Sequence, residues 1–502
     1  MTINLDQYQV WFITGSQHLY GDEILKQVSS HAKQFSQALS AGQEIPVTVV
    51  YKDIITSAGA ATQLIMEANQ SPDCIGVIGW MHTFSPAKMW ISALKRLQKP
   101  LLHLHTQFHA EIPWDSIDME YMNLHQSAHG GREFGFINTR LALNRKVVVG
   151  HWSRSEVIQK IGVWTRVCCA CFDSQSLKVA RFGDNMRDVA VTEGNKVSAQ
   201  VQFGYEVNGY GLGDLARSIN DQKESAVMQL VAEYQDRYEL VASLQKGGEH
   251  YHSLKEAAKI ELGIEAFLLN GHFGAFTTNF ENLHGLHQLP GIAVQRLMEK
   301  GYGFGAEGDW KTAALLRHFK IMSFGMPGGS SFMEDYTYQF GNRESLVLGA
   351  HMLEICPSIT DENPSCEIHP LSIGSKSDPV RLVFTGSPGS AINASIVDLG
   401  SRFRIIINEV EAMKPPEELP KLPVARILWK PEPNLGTAAA SWILAGGAHH
   451  TVYSNQISKE FMEDLAEIFG IELVVIDKNT SLYQFKQNLL WNQAHYQSKN
   501  LI

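Results

Sequence analysis

The sequence predicts an α/β protein: two doubly wound domains of the flavodoxin or Rossmann kind, followed by a mainly antiparallel β-barrel domain. Up to about residue 328, short apolar strands alternate with segments of helical periodicity, which is typical of parallel sheets. Beyond Gly329, short strands follow one another without long helices between them, which indicates an antiparallel barrel or sandwich. The length of 502 residues exceeds what a single core usually holds. We therefore predict domains at residues 1–176, 177–328 and 329–502.

The first predicted domain begins with a buried strand at residues 10–13. The segment that follows has apolar residues at helical spacing from Leu25 to Leu39 and ends at Gly42. The turn Thr14–Gly15–Ser16 resembles a phosphate loop, but it lacks the glycine spacing of the known nucleotide-binding motifs, so we predict no nucleotide site. Further apolar strands are predicted at residues 47–51, 75–80 and 101–105.

The two later domains are predicted in the same way. In the second, strands are predicted at residues 179–182, 276–280 and 302–305, and helices at residues 226–234, 254–262 and 292–300. In the third, strands are predicted at residues 346–356, 380–384, 391–397, 403–409 and 424–429, and a closing helix and strand at residues 461–469 and 473–476.

Composition excludes several classes of function. The formal net charge of −10 argues against sequence-independent nucleic-acid binding, which needs a basic surface. The chain has no apolar run near the roughly 20 residues that span a bilayer, and its N-terminus has no basic region typical of a signal peptide. The cluster Cys168–Cys169–Ala170–Cys171 lacks zinc-site spacing and is interpreted as buried thiols. We therefore expect a cytoplasmic protein with no membrane or nucleic-acid partner.

Carboxylates and histidines stand where predicted elements of the second and third domains end or begin. Glu307 ends a strand, Glu334 follows a glycine-rich break, and His351 shares a strand face with apolar residues. Each alone is more often a solvent or core residue, but together they suit a divalent cation. His449 and His450 are adjacent, and neighbours on a strand point to opposite faces, so we expect at most one of them at a common site.

Long segments of the chain resemble the L-arabinose isomerase family. The clearest are GYGFGAEGDWKTAALLR from Gly301, FMEDYTYQF from Phe332, LVLGAHMLEICPS from Leu346 and ILAGGAHHTVYS from Ile443. The resemblance is collinear from about residue 8 to residue 491, so it covers nearly the whole chain. It implies an isomerase that converts L-arabinose to L-ribulose, the first step of L-arabinose catabolism, with D-galactose to D-tagatose as a side activity.

The resemblance also implies a set of site residues. Glu307 and Glu334 match the family's acid and base and are metal ligands too, and His351 and His450 match the remaining ligands. The expected ion is Mn²⁺, one per subunit, with Co²⁺ or Mg²⁺ as substitutes. The implied chemistry is a metal-assisted cis-enediol, for which a hydride shift is the competing route.

Four further residues match positions that line the family's sugar pocket: Gln17, His129, Met186 and Phe280. The segment that contains His129 is implied to serve a neighbouring subunit, which predicts a homohexamer with active sites at subunit interfaces. From the residues alone, residues 123–136 are equally consistent with a surface turn, and Met186 and Phe280 with simple core packing.

Rival functions differ in what they require of the site. A sugar-binding or regulatory protein on similar lobes needs a cleft but neither a metal nor an acid–base pair. A fucose-type isomerase or an aldolase shares the ion but differs in the residues that contact the far hydroxyls of the sugar. A flavodoxin-like redox role is the weakest alternative, because the sequence has no cofactor motif.

Overall fold

A computed structural model describes residues 3–341, 344–371 and 375–499. The chain divides into two compact units. The N-terminal unit comprises residues 4–172 with residues 463–470, and the C-terminal unit comprises the rest of the chain. The C-terminal unit thus includes most of both the second and the third predicted domain, whose boundaries stay predictions.

The N-terminal unit is built on a parallel sheet. Its strands are β1 (Gln9–Thr14), β2 (Thr48–Tyr51), β3 (Cys74–Trp80), β4 (Leu101–His105) and β5 (Lys146–Val149). Its helices are α1 (Gly21–Ala41), α2 (Ala58–Gln70), α3 (Ile91–Leu94), α4 (Met119–Leu124), α5 (Ser127–Arg140) and α6 (Ser155–Ser174). The five strands run in the order β2-β1-β3-β4-β5, which is the doubly wound arrangement that strand–helix alternation predicts.

The first part of the C-terminal unit contains a second parallel sheet. The strands of this part of the chain are β6 (Lys178–Phe182), β7 (Glu206–Tyr210), β8 (Glu239–Leu240), β9 (Ala275–Thr277) and β10 (Gly303–Gly305). Its helices are α7 (Lys196–Phe203), α8 (Leu212–Asn220), α9 (Glu224–Arg237), α10 (Tyr251–Gly271), α11 (Gly291–Glu299) and α12 (Trp310–Met322). Four of these strands form the sheet in the order β10-β9-β6-β7, and β8 pairs elsewhere.

The remaining strands form a closed antiparallel barrel and its additions. They are β11 (Ser330–Phe340), β12 (Ser345–Ala350), β13 (Ser365–Ile368), β14 (Val380–Val383), β15 (Gly389–Asp398), β16 (Phe403–Met413), β17 (Arg426–Pro431), β18 (His450–Ser454) and β19 (Glu472–Ile476). The order β15-β18-β11-β12-β17-β16 closes through a β15–β16 pairing, while β19 joins β16 in parallel and β14-β13-β8 form a small sheet. Closure removes the open edges that a flat sheet would expose. The predicted fold class is confirmed.

The helices of this part are α13 (Leu435–Leu444) and α15 (Leu482–Lys499), and α14 (Lys459–Phe469) begins here but lies mostly in the N-terminal unit. Helices α13 and α15 were not predicted. The strand predicted at residues 346–356 ends at Ala350, and the one predicted at residues 276–280 ends at Thr277. Residues 127–140 form helix α5 rather than a surface turn, and its Gly130 lies so close to the Thr83 carbonyl that an added Cβ would be 2.5 Å from that oxygen. The glycines that suggested a turn therefore serve close packing of a helix.

Close contact between β10 and α12 sets the position of the segment that joins them. A Cβ added to Gly303 would lie 2.1 Å from the Ala313 carbonyl oxygen, so only glycine lets the strand approach the helix this closely. Every residue of α12 is buried. The short segment between Gly305 and Trp310 is therefore held between two fixed elements.

Two expectations from the sequence concern membrane-spanning helices and the cysteines. In the described residues, no helix combines the length and the apolar character needed to cross a membrane. All six cysteines are buried, including the three on α6.

Candidate active site

Glu307 lies in the segment between β10 and α12 and has a left-handed backbone conformation, with φ 57° and ψ 24°. This conformation is uncommon for a residue with a Cβ and persists only where surrounding contacts enforce it. The Glu307 carbonyl accepts a hydrogen bond from the Met186 amide at 3.0 Å, and the Gly308 amide donates to the Thr278 carbonyl at 3.0 Å. These contacts hold a strained residue in place, which is typical of functional sites.

Three further candidates come from neighbouring strands of the barrel. Glu334 on β11 is the register partner of His450 on β18 and of Ala350 on β12, and His351 directly follows Ala350. Phe332 lies two residues before Glu334 on β11, so both share one face of the strand. Its ring packs edge-on against both imidazoles, with centroid distances of 5.1 Å to His351 and 5.0 Å to His450. The histidines are thus fixed against an apolar wall.

The four predicted ligands meet in one cluster. Glu307 Oε2 lies 3.7 Å from His450 Nε2, and Glu334 Oε2 lies 3.9 Å from His351 Nε2. His450 is fully buried, and its Nε2 atom makes no hydrogen bond with any described residue. Buried polar atoms are nearly always satisfied, so an unsatisfied imidazole nitrogen beside a carboxylate indicates a missing partner. Two carboxylates and two imidazoles are a donor set that a divalent cation accepts.

His449 also reaches this cluster, which the sequence did not predict. Its Nε2 atom lies 3.7 Å from Glu307 Oε2 and 3.9 Å from Glu334 Oε1. Glu307, His449 and His450 together have ligand atoms within 4.8 Å of one another. The expectation that only one of the two histidines would reach the site was wrong, because β18 begins at His450 and the alternation of a strand does not apply to His449.

Electrostatics within the cluster favour the ionised form of Glu307. Burial raises the pKa of Glu307, but the interaction with His449 and the charges of His450 and His351 outweigh it, and the net shift is downward. Burial lowers the pKa of His351, but the Glu354 carboxylate opposes it and the net shift is upward. The interaction with Glu307 raises the pKa of His449 against the opposing effect of burial.

Both buried histidines have a second carboxylate on their other ring nitrogen. His450 Nδ1 is 3.1 Å from Asp309 Oδ2, and His351 Nδ1 is 2.5 Å from Glu354 Oε2. Neither pairing was predicted from the sequence. Glu354, three residues after His351, was the available signal for one of them. Asp309 lies 141 residues from His450 in the chain, so no local signal pointed to that pair.

Two predicted pocket residues lie in the same unit as this cluster. Met186 is half-buried, and its amide is the donor to the Glu307 carbonyl. Phe280 is half-buried in the turn after β9, where the neighbouring Asn279 side chain donates to the Asp184 carbonyl at 3.1 Å. Neither side chain is fully buried, and a sugar-binding role for both stays a prediction.

The other two predicted pocket residues lie in the N-terminal unit. Gln17 is half-buried after β1, and its carbonyl accepts from the Tyr20 amide at 3.3 Å. His129 is exposed on α5, with its ring 5.3 Å from that of Phe84. A sugar-binding role for these residues stays a prediction.

Comparison with known proteins covers the whole chain. Three family models match, described as the N-terminal, central and C-terminal domains of L-arabinose isomerase, over residues 4–176, 178–325 and 329–472. The chain is 58% identical over 494 residues to the L-arabinose isomerase of Herpetosiphon aurantiacus, which covers 98% of this chain and 99% of that protein. It is 56% identical over 497 residues to that of Geobacillus stearothermophilus, which covers 99% of this chain and 100% of that protein.

Proposed function

The chain belongs to the L-arabinose isomerase family and is therefore an isomerase, and from this premise we propose that it converts L-arabinose to L-ribulose with Glu307 and Glu334 as acid and base. The observation that carries the proposal is the convergence of these two carboxylates with His351 and His450 at 3.7 to 3.9 Å. A binding protein would need no such acid–base pair. A different sugar isomerase would share the cluster, but the identity along the whole chain favours L-arabinose.

The donor set suits a divalent cation, and we propose Mn²⁺, one per subunit, with Co²⁺ or Mg²⁺ as substitutes. Glu307, Glu334, His351 and His450 would hold it, because their oxygens and Nε2 atoms face one another and the buried His450 Nε2 has no other partner among the described residues. When bound, such a cation polarises the substrate carbonyl and stabilises negative charge on adjacent oxygens. His449 faces both glutamates and is a further candidate for contact with the ion or the substrate.

Isomerisation of an aldose requires that a proton leave C2 and that a proton reach C1. One glutamate removes the C2 proton while O1 gains a proton, which gives a cis-enediol. A carboxyl group then returns a proton to C1 while O2 loses its hydroxyl proton. The two oxygens of Glu334 face different groups, Oε2 toward His351 and Oε1 toward His449. For Glu334 this supports a division in which Oε2 faces the ligand set and Oε1 moves a proton.

The proposal extends to the pocket, the assembly and the cell. Gln17, His129, Met186 and Phe280 contact the sugar, and the enzyme is a homohexamer whose active sites lie at subunit interfaces. It acts in the cytoplasm, in the first step of L-arabinose catabolism, and takes D-galactose to D-tagatose as a side reaction. Support for all of these points comes from the resemblance of the matching segments. The half-buried or exposed state of the four side chains supports only their contact with the sugar.

The experiment that tests the function is a ketose assay on chelator-stripped protein. L-arabinose and, in a parallel arm, D-galactose are incubated before and after addition of Mn²⁺, Co²⁺ or Mg²⁺. We expect little ketose without ion and full turnover of L-arabinose with Mn²⁺. If folded and assembled protein makes no ketose with any ion, L-arabinose is not the substrate.

Isomerisation in deuterated water separates the two chemical routes. The enediol route exchanges the transferred proton with solvent, so deuterium should appear at C1 of the ketose. A product without any deuterium would favour a hydride shift or a return of the proton that is fully shielded from solvent.

A further inference from the structure

Each buried histidine of the cluster is engaged on its Nδ1 side by a carboxylate that is not itself a ligand candidate. Asp309 is 1% exposed and bonds to His450, and Glu354 is 8% exposed and bonds to His351. A carboxylate accepts a hydrogen bond, so the proton of each neutral imidazole belongs on Nδ1. The lone pair of each ring is then on Nε2, which faces Glu307 or Glu334.

We propose that Asp309 and Glu354 are positioning residues, which fix the tautomer and the ring orientation of His450 and His351 so that both Nε2 atoms are ready to bind a divalent cation. This inference rests on the proposed metal-dependent function. A carboxylate behind a ligating histidine raises its basicity and limits its rotation, and loss of such a partner typically weakens metal binding by about 10- to 100-fold.

Asp309 does more than cap a helix. One oxygen, Oδ1, accepts from the Thr312 amide at 3.2 Å, which is the usual contact of an N-cap residue at the start of α12. The other oxygen, Oδ2, accepts from the Thr312 hydroxyl at 2.8 Å and faces His450 Nδ1. Capping explains the first oxygen, and the histidine contact explains why the second is buried beside an imidazole.

A buried cation faces the same carboxylate. Lys311 Nζ lies 3.2 Å from Asp309 Oδ1, and both side chains are 1% exposed. Oδ1 thus faces Lys311 and the Thr312 amide, while Oδ2 faces the Thr312 hydroxyl and His450. Contacts on both oxygens hold the carboxylate in place beside His450.

Glu354 is held by the backbone of its own loop. Its Oε2 atom also accepts from the Leu353 amide at 3.1 Å. The buried Arg381 on β14 donates to the Met352 carbonyl at 3.4 Å and to the His369 carbonyl at 2.9 Å. The loop from His351 to Glu354 is therefore anchored to the small sheet.

The test compares the affinity for Mn²⁺ of chelator-stripped protein, measured without substrate from the electron paramagnetic resonance signal of the free ion. The variants are Asp309→Asn and Glu354→Gln. An amide can either donate to Nδ1 or accept from it, so the tautomer is no longer specified although the volume is kept. The matched control is Glu367→Gln, because Glu367 also bonds to a histidine, His369 Nε2 at 2.6 Å, but that pair is not part of the proposed ligand set.

We expect each amide variant to bind Mn²⁺ about 10- to 100-fold more weakly than the wild type, while Glu367→Gln binds normally. The thermal midpoints of the stripped proteins report folding separately, so a purely structural role would lower the midpoint without a selective loss of affinity. If an amide variant does not fold, Glu354→Asp keeps the charge but withdraws it by one methylene, and it too should weaken binding.

The outcomes separate the inference from the proposed function. If the wild type binds Mn²⁺ and every folded variant binds it with the same affinity, the positioning role is wrong. The proposed metal dependence then stands. Failure of the wild type to bind Mn²⁺ overturns the proposed metal dependence and the inference with it.

Discussion

Glu334 on β11 lies directly opposite His450 on β18 in the antiparallel barrel. Residues opposite one another in such a pair present their side chains on the same face of the sheet, so this register places a carboxylate beside an imidazole without any loop in between. Glu307 reaches the same point from a separate element, with Oε2 3.7 Å from His450 Nε2. A shift of one residue in either strand would turn one of the two side chains away.

Replacement of either glutamate by its amide should remove most turnover. Glu307→Gln and Glu334→Gln keep the size of the side chain but can no longer take a proton, and general acid–base catalysis contributes about 100-fold or more. The measurement is kcat for L-ribulose formation from L-arabinose on folded, Mn²⁺-loaded protein. Glu265→Gln is the control, because Glu265 on α10 pairs with Lys300 and has no role in the proposed site. Near-normal kcat in either test variant would remove that residue from the acid–base pair.

The two adjacent histidines should differ in their effect on metal binding. His450 is fully buried and bonded to Asp309, whereas the His449 side chain is 41% exposed. A fixed imidazole loses less freedom on binding an ion, so His450→Gln should weaken Mn²⁺ binding more than His449→Gln does. Calorimetric titration of stripped protein with Mn²⁺ gives both affinities. The reverse order would assign the ligand to His449.

Gly303→Ala should destabilise the C-terminal unit and lower activity. The new methyl group would be 2.1 Å from the Ala313 carbonyl, so β10 and α12 must separate, and overpacking of this kind costs about 1–3 kcal/mol. Thermal melting reports the loss of stability. Turnover is measured as well, because Glu307 lies two residues after the end of β10 and should move when the strand moves. Gly213→Ala in α8 is the matched control, because no atom lies within 4 Å of its added Cβ. Equal melting temperatures of the two variants would contradict close packing at Gly303.

Arg296→Met should be strongly destabilising. Arg296 and Glu261 are 1% and 0% exposed, and Arg296 Nε lies 2.9 Å from Glu261 Oε2. Removal of one member leaves a buried carboxylate with fewer partners, which costs about 3–5 kcal/mol. The midpoint of urea unfolding measures the loss. The double variant Arg296→Met/Glu261→Leu removes the unpaired charge and should recover part of the stability; no recovery would mean that the loss comes from packing alone.

The N-terminal unit should lose stability in mild acid. His31 Nδ1 and His82 Nε2 are 2.8 Å apart, and burial, together with nearby histidines, lowers the pKa of His31 to about 4 and the pKa of His82 as well. The unfolded chain, with a histidine pKa of about 6.5, then binds more protons than the folded chain between these values. Stability is therefore present above pH ~6.5 and falls as the pH is lowered toward 4.

Thermal melting at several pH values tests this sign. His31→Gln keeps a hydrogen-bonding group at the contact but cannot titrate, so its melting temperature should fall less between pH 7 and pH 5, values that bracket about 6.5. His495→Gln changes an exposed histidine and should behave as the wild type does. An equal fall in the melting temperature of all three proteins would show that the pair of His31 and His82 does not control stability in acid.

Much of the fold follows from local sequence pattern. Apolar runs such as the one that forms β3, and helical spacing such as that of α1, depend on neighbours within a few turns, so periodicity predicted them. The family followed from long collinear segments, and the matches along the whole chain confirm it. Helix α5 was harder to predict, because Gly130 and Gly131 indicate a turn in the sequence. Only the structure shows that Thr83 and His105 pack against these glycines.

The residues alone indicated Glu307, Glu334, His351 and at most one of His449 and His450 as candidates, and the resemblance of the matching segments selected His450. Their mutual distances, the approach of His449, and the Asp309 and Glu354 contacts depend on strand register, on where β18 begins and on the left-handed backbone of Glu307. These features arise from hydrogen bonds between segments far apart in the chain, such as β11 with β18. No local sequence pattern predicts such strand pairings, because their interaction energy is gained only when the whole barrel closes.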